Sequence, residues 1–218
     1  MKLKHIIFDC DGVLVDSEPL SMGADVMLLR RFGIEIGEAE AHRRFVGTTF
    51  QAMLEMMTQQ FGTVFPEGLH EVKDRMVEDL YRRELKIVDG VAPVLTAIKA
   101  RGLSLSIGSN SPKKRVELAV DLTGIAAFFD RIVSYEDVEN GKPAPDIFLK
   151  AASLAEVGIA ECLVVEDSIT GVTAAVAAGI RTVGYTGTHA HPLQHGMDLK
   201  SRGAAVVIAE MAELLQHI

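Results

Sequence analysis

The chain of 218 residues predicts an α/β protein, a parallel sheet with helices on both faces, interrupted by one all-helical insertion. Three observations carry this. From Asp89 onward, short runs rich in branched residues alternate with helical stretches, the pattern of repeated βα units. Near the N-terminus, His5-Ile6-Ile7-Phe8 reads as one buried strand cut off by Asp9. Between these regions roughly 70 residues carry apolar side chains at three- and four-residue spacing, with no convincing strand.

Taken in order, the first strand is followed by helical stretches over about 19–32, 38–45, 50–61 and 69–85, punctuated by Gly33, Gly47 and Gly62. Six of the nine methionines fall in this block, where a flexible thioether fills irregular gaps between helices. The lone first strand needs partners from further along the chain. The helical block is therefore an insertion, residues 17–88, in a core made of 1–16 and 89–218. A helix over 91–100 closes at Arg101-Gly102, and a strand follows over 103–108. Ser111 as N-cap and Pro112 in the first turn start a helix over 112–122. Then come a strand at 131–135, a helix at 145–155, a strand at 163–165 and an Ala-rich helix at 171–178 stopped by Gly179. Strands at 182–185 and 205–208 and a helix at 210–217 complete the pattern; Gly187, Pro192 and Gly196 mark a loop between those two strands.

Composition narrows the function. Thirty acids against 22 Lys and Arg, net −8, disfavour a nucleic-acid or anionic-membrane partner, which needs a basic face. Two cysteines without a C-x-x-C spacing fit a reduced, cytoplasmic protein. No signal peptide and no apolar stretch near the ~18 residues of a membrane span are visible.

Chemistry-bearing residues cluster where strands end. Asp9 and Asp11 stand at i and i+2 after the first strand, so in an extended segment both carboxylates point into one crevice, and Gly12 permits a sharp turn. Two adjacent carboxylates persist only with a cation or a shared proton. Ser109-Asn110 offers a hydroxyl and backbone N–H groups at a strand-to-helix turn, an anion cradle. Lys142 lies in Gly-Lys-Pro-Ala-Pro, a stretch stiffened by two prolines, where an ammonium can neutralise a phosphoryl group or a carboxylate. Glu166-Asp167 ends the run Leu163-Val164-Val165 and adds oxygen donors suited to Mg²⁺.

In this order the chain resembles the haloacid dehalogenase-like hydrolase superfamily. D-C-D-G-V-L-V-D-S-E is similar to its first motif, Ser109 to the second, Lys142 to the third and Glu166-Asp167 to the fourth. G-K-P-A-P-D-I-F and V-V-E-D-S-x-x-G resemble the branch with β-phosphoglucomutases, phosphoglycolate-type phosphatases and small sugar-phosphate phosphatases. The resemblance implies a Rossmann-like core and a helical cap. It implies Asp9 as nucleophile forming an aspartyl-phosphate and Asp11 as general acid, then base. It implies Mg²⁺ on the Asp9 carboxylate, the Asp11 backbone carbonyl and Asp167, with Glu166 helping directly or through water. Ser109 and the Asn110 backbone would hold phosphoryl oxygens, Lys142 would neutralise developing charge, and Gly47, Thr48 and Phe50 would be cap residues near the substrate.

Within that branch, the expected function is a Mg²⁺-dependent phosphatase of a small phosphorylated metabolite: a sugar phosphate, a sugar-acid phosphate or a phosphoglycolate type. β-Phosphoglucomutases carry a cap histidine where Ser21 stands, and a K-G-x-x-R segment where this chain has Val46-Gly47-Thr48-Thr49-Phe50. A bisphosphate needs cations at both ends, so a mutase is the lesser alternative. A non-catalytic Mg²⁺- and phosphate-binding regulator is disfavoured by the presence of both Asp9 and Asp11. Cys10 should face away from the two acids as a structural thiol. His189, His191 and His195 read as loop residues rather than a zinc site, and Lys113-Lys114-Arg115 as a solvated first turn. A monomer or weak dimer is expected.

Overall fold

A computed structural model describes residues 2–45 and 48–218. It contains six strands, β1 (His5–Phe8), β2 (Ser104–Ser109), β3 (Arg131–Ser134), β4 (Cys162–Glu166), β5 (Arg181–Tyr185) and β6 (Val206–Ile208). All pair in parallel in the order β3-β2-β1-β4-β5-β6. This order reverses between β1 and β4. In open α/β sheets the crevice at such a reversal, beyond the carboxyl ends of the strands, is where ligands bind.

The chain divides into two compact units: the stretch up to Asp16 with Lys86–Ile218, and Ser17–Leu85. The second crossing thus falls at Leu85–Lys86, slightly before the expected Val88–Asp89. Main-chain pairing explains the difference. Asp16 N–H donates to the Lys86 carbonyl, Val15 bridges Ile87, and Val88 N–H donates to the Leu14 carbonyl, so residues 86–88 are sewn to the core.

In the core unit, helices α5 (Val91–Ala100), α6 (Lys113–Leu122), α7 (Asp146–Leu154), α8 (Ile169–Ala177) and α9 (Pro192–Ser201) connect or follow the strands. One sheet face carries Ile7, Val133, Cys162 and Val164 and packs on Ile147, Phe148, Ala151, Ala174 and Ala175 of α7 and α8. The alternate residues Ile6, Phe8, Leu105, Ile107, Leu163 and Val165 are buried on the other face, where the Phe8 ring meets Phe129 edge-on at 6.2 Å. Strands buried on both faces lose the polar alternation of a half-exposed sheet, which is why β1 and β4 read as unbroken apolar runs.

The second unit holds α1 (Glu18–Arg31), α2 (Glu38–Phe45), α3 (Phe50–Phe61) and α4 (Leu69–Glu84). Its core includes Leu28, Leu29, Met53, Met57, Val77 and Tyr81. Thr49 caps α3 by accepting from Ala52 N–H at 3.1 Å, and Gly62 ends it in the left-handed region at φ 67°. Among the described residues no helix is long and apolar enough to cross a membrane.

Two sequence expectations are corrected here. Residues 192–201 form helix α9 rather than a loop: Pro192 sits at its first turn, where a missing N–H costs nothing, and Gly196 is buried where a Cβ would lie 3.2 Å from Val207. The glycine serves close packing there instead of breaking the helix. The closing segment is a 3-10 helix, Met211–Gln216.

Candidate active site

Phe8 is in register with Val165, and Asp9 N–H donates to the Val165 carbonyl at 2.9 Å. Asp9 therefore emerges from β1 level with Glu166 at the end of β4, at the reversal of strand order. From the loop between β3 and α7, Lys142 reaches between them: its Nζ lies 2.6 Å from Asp9 Oδ1 and 2.6 Å from Glu166 Oε1. All three side chains are buried. The ammonium also stands 4.9 Å from the centre of the Phe148 ring, which keeps it in a low-dielectric wall.

Electrostatics follow from this packing. Burial pushes the Asp9 carboxyl well above its ordinary value of 3.8; Lys142 pulls it down, and Glu166, Asp167 and Asp11 push it further up. For Lys142, burial alone would lower the ammonium, but Asp9 and Glu166 more than offset this and hold it above its usual 10.5.

Each acid has a defined setting. Glu166 is fully buried; besides Lys142 it accepts from Ser168 N–H at 2.7 Å and Ser168 Oγ at 3.0 Å, so both carboxylate oxygens are engaged. A Cβ on Gly171 would fall 1.7 Å from Glu166 Oε1, which is the reason for glycine three residues after Ser168. Gly12 adopts φ 77°, and a Cβ there would lie 2.1 Å from Asp167 Oδ2. The Asp9–Gly12 turn and Asp167 are thus packed against each other. Asp11 Oδ2 accepts from Ser111 Oγ at 2.6 Å.

That last bond overturns the reading of Ser111 as a helix cap. Helix α6 begins at Lys113, the residue in the cap position is Pro112, and Ser111 turns its hydroxyl back to Asp11. Ser111 N–H donates to Ser109 Oγ at 3.0 Å, leaving the Ser109 hydroxyl proton to be given elsewhere. The Asn110 side chain clamps the lysine loop: its Nδ2 donates to the Lys142 carbonyl at 3.0 Å and its Oδ1 accepts from Lys142 N–H at 2.8 Å. A Cβ on Gly141 would sit 2.8 Å from Asn110 Oδ1, so glycine before the lysine makes room for the clamp.

The structure gathers Asp9, Asp11, Ser109, Asn110, Lys142, Glu166 and Asp167 at the carboxyl ends of β1, β2 and β4 and on the loop after β3. Asp9, Glu166 and Asp167 each offer an oxygen within 4.8 Å of the others. An all-oxygen donor set, with more carboxylates than the Lys142 ammonium can neutralise, fits Mg²⁺. Gly47 and its neighbour Val46 lie outside the described residues. Thr48 and Phe50 belong to the helical unit. Thr48 Oγ donates to the Phe45 carbonyl at 2.7 Å, and the Phe50 ring packs on His70 at 4.7 Å beneath Lys73 Nζ at 4.8 Å. Lys73 is itself paired with buried Asp25 at 2.7 Å.

Sequence reasoning passed over the loop after β5. Thr188 Oγ donates to the Gly12 carbonyl at 2.8 Å, His189 Nε2 stands 3.5 Å from Asp167 Oδ2, and His195 from α9 meets the Asp167 carbonyl. The His-Ala-His spacing was visible, but not that it returns to Asp167. Cys10 is buried, as expected for a structural thiol, and burial raises its thiol well above the usual range.

Residues 6–185 match the haloacid dehalogenase-like hydrolase family. The chain belongs to this family. A phosphorylated carbohydrates phosphatase from Thermotoga maritima is 30% identical over 99% of the chain and 100% of that protein. A 6-phosphogluconate phosphatase from Escherichia coli is 27% identical over 89% of the chain and 88% of that protein. Among solved structures, a hydrolase of the same family from Deinococcus radiodurans with bound phosphate and sodium superposes with a TM-score of 0.81 at 31% identity, covering 97% of this chain and 93% of that one.

Proposed function

We propose that this chain is a Mg²⁺-dependent phosphatase of small phosphorylated sugars or sugar acids, working through a phosphoryl group transferred to Asp9. It is a phosphoric monoester hydrolase, as its family and the two named phosphatases indicate. The observation that carries the finer reading is the triple contact at the strand reversal. A buried Asp9 carboxylate lies 2.6 Å from a buried ammonium and within 4.8 Å of oxygens from Glu166 and Asp167.

A carboxylate approaches a phosphate dianion only where positive charge screens both. Asp9 and Asp167 would hold Mg²⁺ with the Asp11 carbonyl, and the bound ion would supply that screening. Glu166, with its oxygens committed to Lys142 and Ser168, positions the lysine and would assist in holding the ion. Lys142 opposes the burial that favours the protonated form of Asp9 and would carry charge as phosphorus is attacked. The Ser109 hydroxyl and the Asn110 N–H orient the phosphoryl oxygens. Asp9 Oδ attacks phosphorus, the ester P–O bond breaks, and the Asp11 carboxyl, held by Ser111, gives its proton to the leaving alkoxide. Asp11 then takes a proton from water as the water oxygen attacks phosphorus, which releases phosphate and restores Asp9. The helical unit would act as the cap that selects the leaving group, with Thr48 and Phe50 among its candidate contacts.

The test is phosphate release from a panel including 6-phosphogluconate, hexitol phosphates, hexose phosphates and phosphoglycolate. Mg²⁺-dependent release, lost on chelation and in Asp9→Asn, is expected. Full activity in chelator, or an active Asp9→Asn variant, would refute the assignment.

A further inference from the structure

The segment after β5 touches the catalytic crevice at three points that the proposed chemistry does not use. Thr188 Oγ donates to the Gly12 carbonyl at 2.8 Å, across 176 residues of sequence, and so fixes the backbone of the turn that carries Asp9 and Asp11. His189 Nε2 faces Asp167 Oδ2 at 3.5 Å. His195, on the first turns of α9, brings its Nε2 to the Asp167 carbonyl. A carbonyl oxygen only accepts, so His195 carries its proton on Nε2. The two imidazoles stack on each other with centroids 3.5 Å apart and planes 17° apart. Each ring therefore limits the other's rotation, while one stands within ion-pair range of the Asp167 side chain and the other hydrogen-bonds its main chain.

We infer that His189 and His195 are positioning residues for the cation site, a stacked imidazole pair that fixes the direction of the Asp167 carboxylate. Resting on the Mg²⁺ reading above, this deepens it: a carboxylate ligand becomes effective when an outer hydrogen-bond partner fixes its orientation, and loss of such a partner typically weakens metal affinity by 10–100-fold. Asp167 is the acid of the group that the segment after β5 contacts, through its side chain and its main chain. Glu166 has Lys142 and Ser168 on its oxygens, and Asp9 has Lys142. Leu193 of the same helix is exposed and serves as a control.

The experiment is calorimetric titration of the full-length, metal-stripped protein with MgCl₂ in the absence of any substrate. His189→Ala and His195→Ala should weaken Mg²⁺ binding about 10–100-fold. His189→Gln and His195→Gln, which keep an N–H near the Nε2 position, should recover most of that loss, and Leu193→Ala should match the native chain. Alanine variants binding Mg²⁺ within about twofold of native would overturn the inference. Should the alanine variants fail to fold, the glutamine variants decide: each must bind more tightly than the corresponding leucine variant, which has similar bulk and no donor, and equal affinity would equally overturn it. A native chain that binds no Mg²⁺ would instead sink the metal reading itself, so the two failures are distinguishable.

Discussion

Lys142 is the side chain on which the site's electrostatics turn. Buried between Asp9 and Glu166, it offsets two carboxylates that could not otherwise share a dry crevice. Removing one member of such a cluster leaves unpaired buried charge and costs roughly 3–5 kcal/mol. Lys142→Ala should therefore lower stability to chemical denaturant by about that much as well as abolish turnover; a variant as stable as the native chain would contradict this burial. Asp167 should behave oppositely. It adds repulsion to the acid group, so Asp167→Asn should raise the melting temperature of the metal-free protein while losing activity. A drop in both would show that the acids are not mutually repelling. His5 makes a separate prediction. Its ring lies between Ser104 Oγ at 2.7 Å and Ser106 Oγ at 2.8 Å, and burial lowers its pKa from 6.5 to about 4. Between those values the unfolded chain takes up a proton that the folded one refuses, so stability falls as pH drops from about 6.5 towards 4, by up to about 3 kcal/mol. His5→Gln should flatten that part of the curve, and an unchanged slope would count against it. The identities of Asp9, Asp11, Lys142, Glu166 and Asp167 were legible as residues at strand ends. The partners of Ser111 and Asn110 were not, because a hydroxyl or amide before a helix looks the same whether it caps the helix or reaches 100 residues back to Asp11.

At the scale of elements, the link from β4 to α8 shows how glycine placement shapes chemistry. Glu166 can stay buried with both oxygens bonded only because α8 begins with no side chain at Gly171. Gly171→Ala should push Glu166 aside, loosen Lys142 and cost both stability and rate, about 1–3 kcal/mol of stability as is typical of overpacking; native stability in that variant would refute the packing argument. Strands buried on both faces were easy to recognise from their apolar runs. Helix α9 was not, because Pro192 and Gly196 are loop signals locally and acquire helical meaning only from the packing of Gly196 on Val207. Missing that helix also hid the return of His195 to Asp167.

For the whole molecule, the sequence already contained the architecture: a lone first strand, an inserted helical unit and repeated βα units. Which strands become neighbours was beyond it, since strand order depends on long-range pairing rather than local pattern. That order, reversing between β1 and β4, is what brings Asp9 beside Glu166 and Asp167. A cation that binds only the folded chain should stabilise it by about 2.7 kcal/mol at a hundredfold excess over its dissociation constant. The most direct trial of the central claim is chemical trapping of the transferred phosphoryl. Rapid quenching during Mg²⁺-dependent turnover, followed by borohydride reduction and peptide mass spectrometry, should convert residue 9 alone to homoserine. Steady turnover that leaves Asp9 unmodified, or modification at another acid, would contradict the account.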